Sequence, residues 1–181
     1  MRRVPGLALL LCGLAAAAPA GGQSQRPPLI EGFGIPHTPP GARERPDPSL
    51  RYRVLFNVTV AAAAPDGVNP ALNRVARLLN LLAEEGIRPE PGDIVVIVHG
   101  EATTATMTDR SYAARTRAAA NPNLALIERL RAAGVTIAVC SQALHTHSVA
   151  VADVSALVRV DVSALVTLSN LQLRGYALIP D

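Results

Sequence analysis

Cys140 is the residue of this 181-residue chain with the clearest chemical potential. It directly follows residues 135–139, an apolar β-branched run, and precedes a segment expected to be helical from about Ser141. A cysteine between a strand end and a helix N-terminus faces unpaired backbone N–H groups and the positive end of the helix dipole, and both favour the thiolate. A thiolate can attack sulfane sulfur and hold it as a persulfide. The competing reading is a structural cysteine, because free cysteine is among the most buried residue types. His99, followed by Gly100 and Glu101, ends a second apolar run. It could orient whatever Cys140 binds, or it could simply satisfy backbone groups there. Gly100, Ser141 and Asn57 complete the candidate binding positions. Ser141 reads as a helix cap and not as a nucleophile, since no G-x-S-x-G elbow surrounds it. A thiol hydrolase pairing Cys140 with a histidine base lacks an orienting acid. His145 and His147 could complete a Cys–His metal site with His99, but His-x-His on a helix points its rings apart and no CxxC or HExxH spacing supports it. Neither a metal nor a cofactor is expected; no Gly-rich phosphate loop or dinucleotide fingerprint follows any strand.

The elements that must position these residues alternate in type. Residues 52–60 (YRVLFNVTV) read as a strand. Asn69-Pro70 opens a helix with Asn as N-cap and Pro at the first helical position; Leu72, Val75, Leu79 and Leu82 share a face, and Gly86 closes it. Residues 93–99 contain Ile-Val-Val-Ile-Val without a polar break, as expected of a strand covered on both faces. Asn121-Pro122 repeats the cap-and-proline pattern before a helix carrying Leu124, Ile127 and Leu130, which Gly134 stops. After the strand at 135–139 come a helix from about Ser141, a short strand at 158–160, a helix at 162–174 and a last strand at 176–179. Such alternation predicts an α/β fold: an open, mainly parallel sheet with helices on both faces. Ligands meet such sheets at the carboxyl ends of the strands, where both Cys140 and His99 fall. The Val-Ser-Ala-Leu-Val repeat at 154–158 and 162–166 is too short a period for a solenoid unit and straddles different elements, so it reads as coincidence.

Composition narrows the function classes. Hydrophobic residues make up 49% of the chain and charged residues 17%, which excludes a disordered polymer, and two cysteines exclude a disulfide scaffold. All 17 basic residues are arginine, the net charge is only +3, and there are five aromatics, so the basic-patch-with-stacking pattern of a nucleic-acid binder is missing. Met1-Arg2-Arg3, the apolar run at 7–18 and Ala18-Pro19-Ala20 read as a signal peptide over residues 1–20, too short for a membrane anchor, which needs about 20 apolar residues. Cleavage after Ala20 leaves Cys140 as the sole thiol of a periplasmic or secreted protein. Residues 21–50 form a Pro-rich tail, expected to be disordered, an extended linker or a strap lying on the domain, with residues 30–35 the part suited to docking because they hold its only aromatic, Phe33. The helices at 70–85 and 162–174 carry more apolar surface than one sheet face needs, which points to self-association.

Taken together, Val98-His99-Gly100 after a buried strand, Asn121-Pro122-Asn123, Gly134-Val135-x-Ile137-x-Val139-Cys140 and Leu171-Gln172-x-x-Gly175-Tyr176 resemble the DsrE/DsrF-like sulfur-oxidation family, and more closely its exported branch. The resemblance covers about residues 51–181. It implies a three-layer α/β/α domain around a five-stranded parallel sheet, assembly as a homotrimer or hexamer, and sulfur binding or relay, with or without sulfurtransferase turnover, through a cysteine after a central strand, where Cys140 stands. The departures are a single mature thiol and export. The alternative is a non-catalytic oligomeric module that binds a small ligand or partner and uses Cys140 for packing.

Overall fold

The computed structural model describes residues 26–181; the expected signal segment and Cys12 lie outside the described residues. Five strands form one all-parallel sheet in the order β4-β3-β2-β1-β5. They are β1 (Val54–Val58), β2 (Ile94–Val98), β3 (Thr136–Cys140), β4 (Arg159–Asp161) and β5 (Ala177–Ile179). The helices between them are α1 (Pro70–Glu84), α2 (Asp109–Thr116), α3 (Leu124–Ala132), α4 (Ser141–Thr146) and α5 (Ala164–Leu173), with short 3-10 stretches at Gly100–Thr106 and Val151–Asp153. The expected α/β architecture therefore holds, and every expected strand is present within a few residues of its predicted bounds.

β2 is central and buried throughout, as its unbroken apolar run requires. Successive side chains divide between two cores. On one face Val54, Phe56, Val58, Val96, Val98, Ile137 and Val139 pack against α1 and α3 through Leu72, Val75, Leu79, Ile127 and Leu130. On the other face a smaller cluster joins Leu55, Val95, Ile97, Ala138 and Cys140 to Ala143, Ala164 and Leu171.

α1 begins as its sequence dictates: Asn69 Oδ1 accepts from the N–H groups of Ala71 (2.9 Å) and Leu72 (3.2 Å), with Pro70 in the first turn. Asn121-Pro122 behaves differently from expectation. α3 starts at Leu124, and Asn121 is no N-cap. Its Oδ1 accepts from Asn123 N (3.0 Å), while its Nδ2 donates to Ala105 O (3.0 Å) and Met107 O (2.7 Å). Asn123 Oδ1 in turn accepts from Asn69 N at 2.7 Å. These buried asparagines tie the approaches to α1 and α3 to the 3-10 stretch after β2, which satisfies several loop backbone groups that water cannot reach.

The tail is a strap. Ile30 is buried at 1% exposure, and Asn80 on α1 clamps the backbone around it: Oδ1 accepts from Ile30 N at 2.7 Å, and Nδ2 faces the carbonyls of Ile30, Phe33 and Gly34 at 2.9–3.2 Å. Gly34 N donates to Asn73 Oδ1 (2.8 Å), and a Cβ on Gly34 would run into the backbone of Ala76 and Arg77. The chain's own strap thus covers part of the apolar surface of α1, with Ile30 in the core and Leu29 and Phe33 packed against it. α5 is not covered in this way: Leu165 and Leu173 are 76% and 87% exposed.

Candidate functional site

β1, β2 and β3 bring three of the expected residues to one edge and one face of the sheet. Val98 pairs with Val139, so one further step of the register sets His99 beside Cys140. Val58 pairs with Val98, so the same step on the other side sets Thr59 beside His99. Strand alternation puts Asn57, His99 and Cys140 on the face of the smaller core, at the carboxyl ends. The bond between His99 Nε2 and Asn57 Oδ1, 2.7 Å long, fixes the imidazole. An amide oxygen only accepts, so Nε2 carries the proton and Nδ1 is the ring's free acceptor. Burial holds the His99 pKa below its ordinary value by penalising the cation, and the carboxylate of Asp181 opposes that shift.

Cys140 stands at the expected handover from strand to helix, as the last residue of β3 and the N-cap of α4. Its thiol makes no capping hydrogen bond to α4, which is only six residues long, so the expected help from helix N–H groups is missing. The side chain is 4% exposed, within the cluster of Leu55, Val95, Ile97, Ala138, Ala143, Ala164 and Leu171. Ser141 is not the cap it was expected to be. It is the first residue of α4, and its Oγ donates to Val162 O at 2.8 Å, holding the entry to α5. Gly100 adopts φ +57° directly after His99, where a Cβ would lie 3.1 Å from Thr59 O; the close passage of the chain over β1 requires glycine. Among the described residues no three His, Cys, Asp or Glu side chains are grouped to hold a metal ion, and no helix is long and apolar enough to cross a membrane.

Sequence reasoning missed several residues at this edge. Asp181 Oδ2 accepts from Thr59 N, from Thr59 Oγ1 (2.5 Å) and from Val60 N (2.9 Å). Arg74 on α1 donates from Nη2 to Pro180 O at 2.6 Å. Beside Cys140 in the β3–β4 register, Asp161 accepts from Thr167 Oγ1 (2.7 Å) and pairs with Arg159. No motif flags Asp181, because its role exists only once β5 has added beside β1.

The profile of the DsrE/DsrF-like family matches residues 54–180, from the first residue of β1 to one residue past β5. The chain belongs to the DsrE/DsrF-like family. Membership in the DsrE/DsrF-like family points to a function related to sulfur relay. A solved structure described as a protein of unknown function, MTH1491 from Methanobacterium thermoautotrophicum, is similar to this chain with a TM-score of 0.51 and 21% identity, covering 72% of this chain and 99% of that one. That likeness concerns the fold alone. No curated protein matches the chain.

Proposed function

We propose that this DsrE-family protein binds and relays sulfane sulfur as a persulfide on Cys140, in a compartment outside the cytoplasm. The observation that carries the reading is the adjacent placement of Cys140 and His99 on one face of the carboxyl edge, with His99 fixed by Asn57. In the proposed step the Cys140 thiol gives its proton to His99 Nδ1, and the thiolate attacks the terminal sulfur of an inorganic polysulfide. One S–S bond forms on Cys140, the adjacent S–S bond of the polysulfide breaks, and the electron pair leaves on the shortened polysulfide. The transferred sulfur is zero-valent before and after, so no external oxidant or reductant takes part. Cys140 is the sole thiol among the described residues, and under the proposed export Cys12 is removed with the leader, so the persulfide meets no resolving thiol in its own chain. Export is inferred from that leader, and self-association from the exposed apolar residues of α5.

The burial of Cys140 among hydrocarbon favours the second reading, a non-catalytic binding module in which the thiol only packs. One experiment separates the two. Purified protein is treated with sodium tetrasulfide, weighed intact, and mapped by peptide so that Cys12 and Cys140 are distinguished. A sulfur adduct on Cys140 that disappears in Cys140→Ala is the expected result. An unmodified Cys140, with the protein folded by circular dichroism, overturns persulfide carriage and leaves the packing role.

A further inference from the structure

We propose that the carboxyl end of β1 is a binding cradle for a small tetrahedral oxyanion, and that the side chain of Asp181 occupies it as an internal stand-in. Three donors converge on one carboxylate oxygen: the successive N–H groups of Thr59 and Val60 and the Thr59 hydroxyl. Successive backbone amides aimed at one point, with a hydroxyl beside them, form an anion-binding concavity. The Arg74 guanidinium supplies the positive charge on the far side, its Nη2 lying 3.9 Å from the other carboxylate oxygen of Asp181.

Asp181 fills this cradle incompletely. A separation of 3.9 Å is an ion-pair distance and too long for a hydrogen bond. On the same guanidinium, Nε is buried and has no hydrogen-bond partner. A carboxylate offers two oxygens, and here one of them takes all three β1 donors while the other stops short of Arg74. A tetrahedral oxyanion has further oxygens at wider angles, so it can keep the β1 donors and also reach the arginine. Such a ligand would displace Asp181 and sit one strand from His99, whose ring already feels the Asp181 charge. Asp181 is thus a competitor whose withdrawal opens the site. The inference does not depend on sulfur carriage by Cys140.

Calorimetric titration of the full chain with sodium sulfate, against sodium chloride at matched ionic strength, tests it. Asp181→Ala should bind sulfate at least tenfold more tightly than the unaltered protein. Adding Arg74→Ala or Thr59→Val to Asp181→Ala should abolish that gain, and Cys140→Ala should leave it intact. Two results overturn the proposal: a folded Asp181→Ala that binds sulfate no better than the unaltered protein, or a gain that survives Arg74→Ala. The first reduces Asp181 to a structural tie, and the second places the anion elsewhere. Because Cys140→Ala is silent here, failure of this proposal and failure of persulfide carriage are read separately.

Discussion

Replacing Asn80 with leucine sets two responses of the strap against each other, and magnitudes decide between them. If the strap stays seated on Asn80→Leu, Ile30 N–H loses its 2.7 Å acceptor at a position only 1% exposed. Stranding a buried donor costs about 1–3 kcal/mol. The two donor protons lost from Nδ2 served the carbonyls of Ile30, Phe33 and Gly34, which adds about 0.5–1.5 kcal/mol per bond. Holding the strap in place therefore costs about 2–6 kcal/mol. If the strap lets go, the chain loses the burial of Ile30, about 1.5–3 kcal/mol, and the Gly34–Asn73 bond, about 0.5–1.5 kcal/mol. Release also returns about 1–2 kcal/mol of backbone entropy for each residue freed.

Release is the cheaper response, so Asn80→Leu should detach the strap locally and leave the domain folded. Hydrogen exchange read by mass spectrometry checks this: peptides spanning residues 28–36 should lose protection while those of β2 and β3 keep theirs. Denaturant unfolding should lose no more than about 4.5 kcal/mol, the upper end of the share tied to strap docking. Unchanged protection at Ile30 and Gly34 would refute the reasoning, because it would mean the amide clamp contributes nothing to docking.

Three further outcomes follow from the same geometry. Burial keeps His99 below its ordinary pKa of about 6.5, so the unfolded chain takes up this proton first as pH falls; the contribution of neutral His99 to stability is complete above about pH 6.5 and is lost as pH drops through the folded pKa, and Asp181→Asn should push the ring's NMR titration lower still. Cys140, at 4% exposure, should react with an aromatic disulfide at least tenfold more slowly in the native protein than in denaturant, and equal rates would show that the thiol lies open. Leu165→Glu combined with Leu173→Glu should shift a sedimenting assembly to monomer with little change in unfolding midpoint; an unaltered sedimentation profile would remove α5 from the proposed self-association.

What sequence could reveal depended on whether the controlling interaction is local. The unbroken Ile-Val-Val-Ile-Val of β2 and the Asn69-Pro70 start of α1 carry their own causes, and both elements lie where the pattern puts them. The segment after His99 carries no such pattern: α2 buries only Tyr112, so it has no apolar stripe to read, although Thr108 followed by Asp109 does supply a capping signal. Asn121-Pro122 has the same local chemistry as Asn69-Pro70, yet its amide is used by the carbonyls of Ala105 and Met107, and the helix starts later. Tertiary demand decided between two identical dipeptides. Cys140 shows the same limit from the other direction: its place between β3 and α4 was legible, whereas the hydrocarbon around its sulfur comes from β1, β2 and α5, which only the assembled sheet supplies.

The two faces of the sheet are finished unequally, and this bears on the proposed relay. The face toward α1 and α3 is sealed by a large core and by the strap. The face that holds Asn57, His99 and Cys140 rests on a small cluster and on α5, a helix without a charged residue that still exposes Leu165 and Leu173. Large apolar side chains left exposed on an uncharged helix mark a surface that a partner can cover. Under the proposed self-association, the covering subunit would lie against α5, whose Ala164 and Leu171 share the small cluster with Cys140. Sulfur access and subunit docking would then be coupled through α5. The Leu165→Glu, Leu173→Glu variant should therefore change the rate of thiol labelling at Cys140 as well as the sedimentation profile. If the assembly dissociates while the labelling rate stays fixed, α5 docking and access to the sulfur are independent and the coupling is wrong.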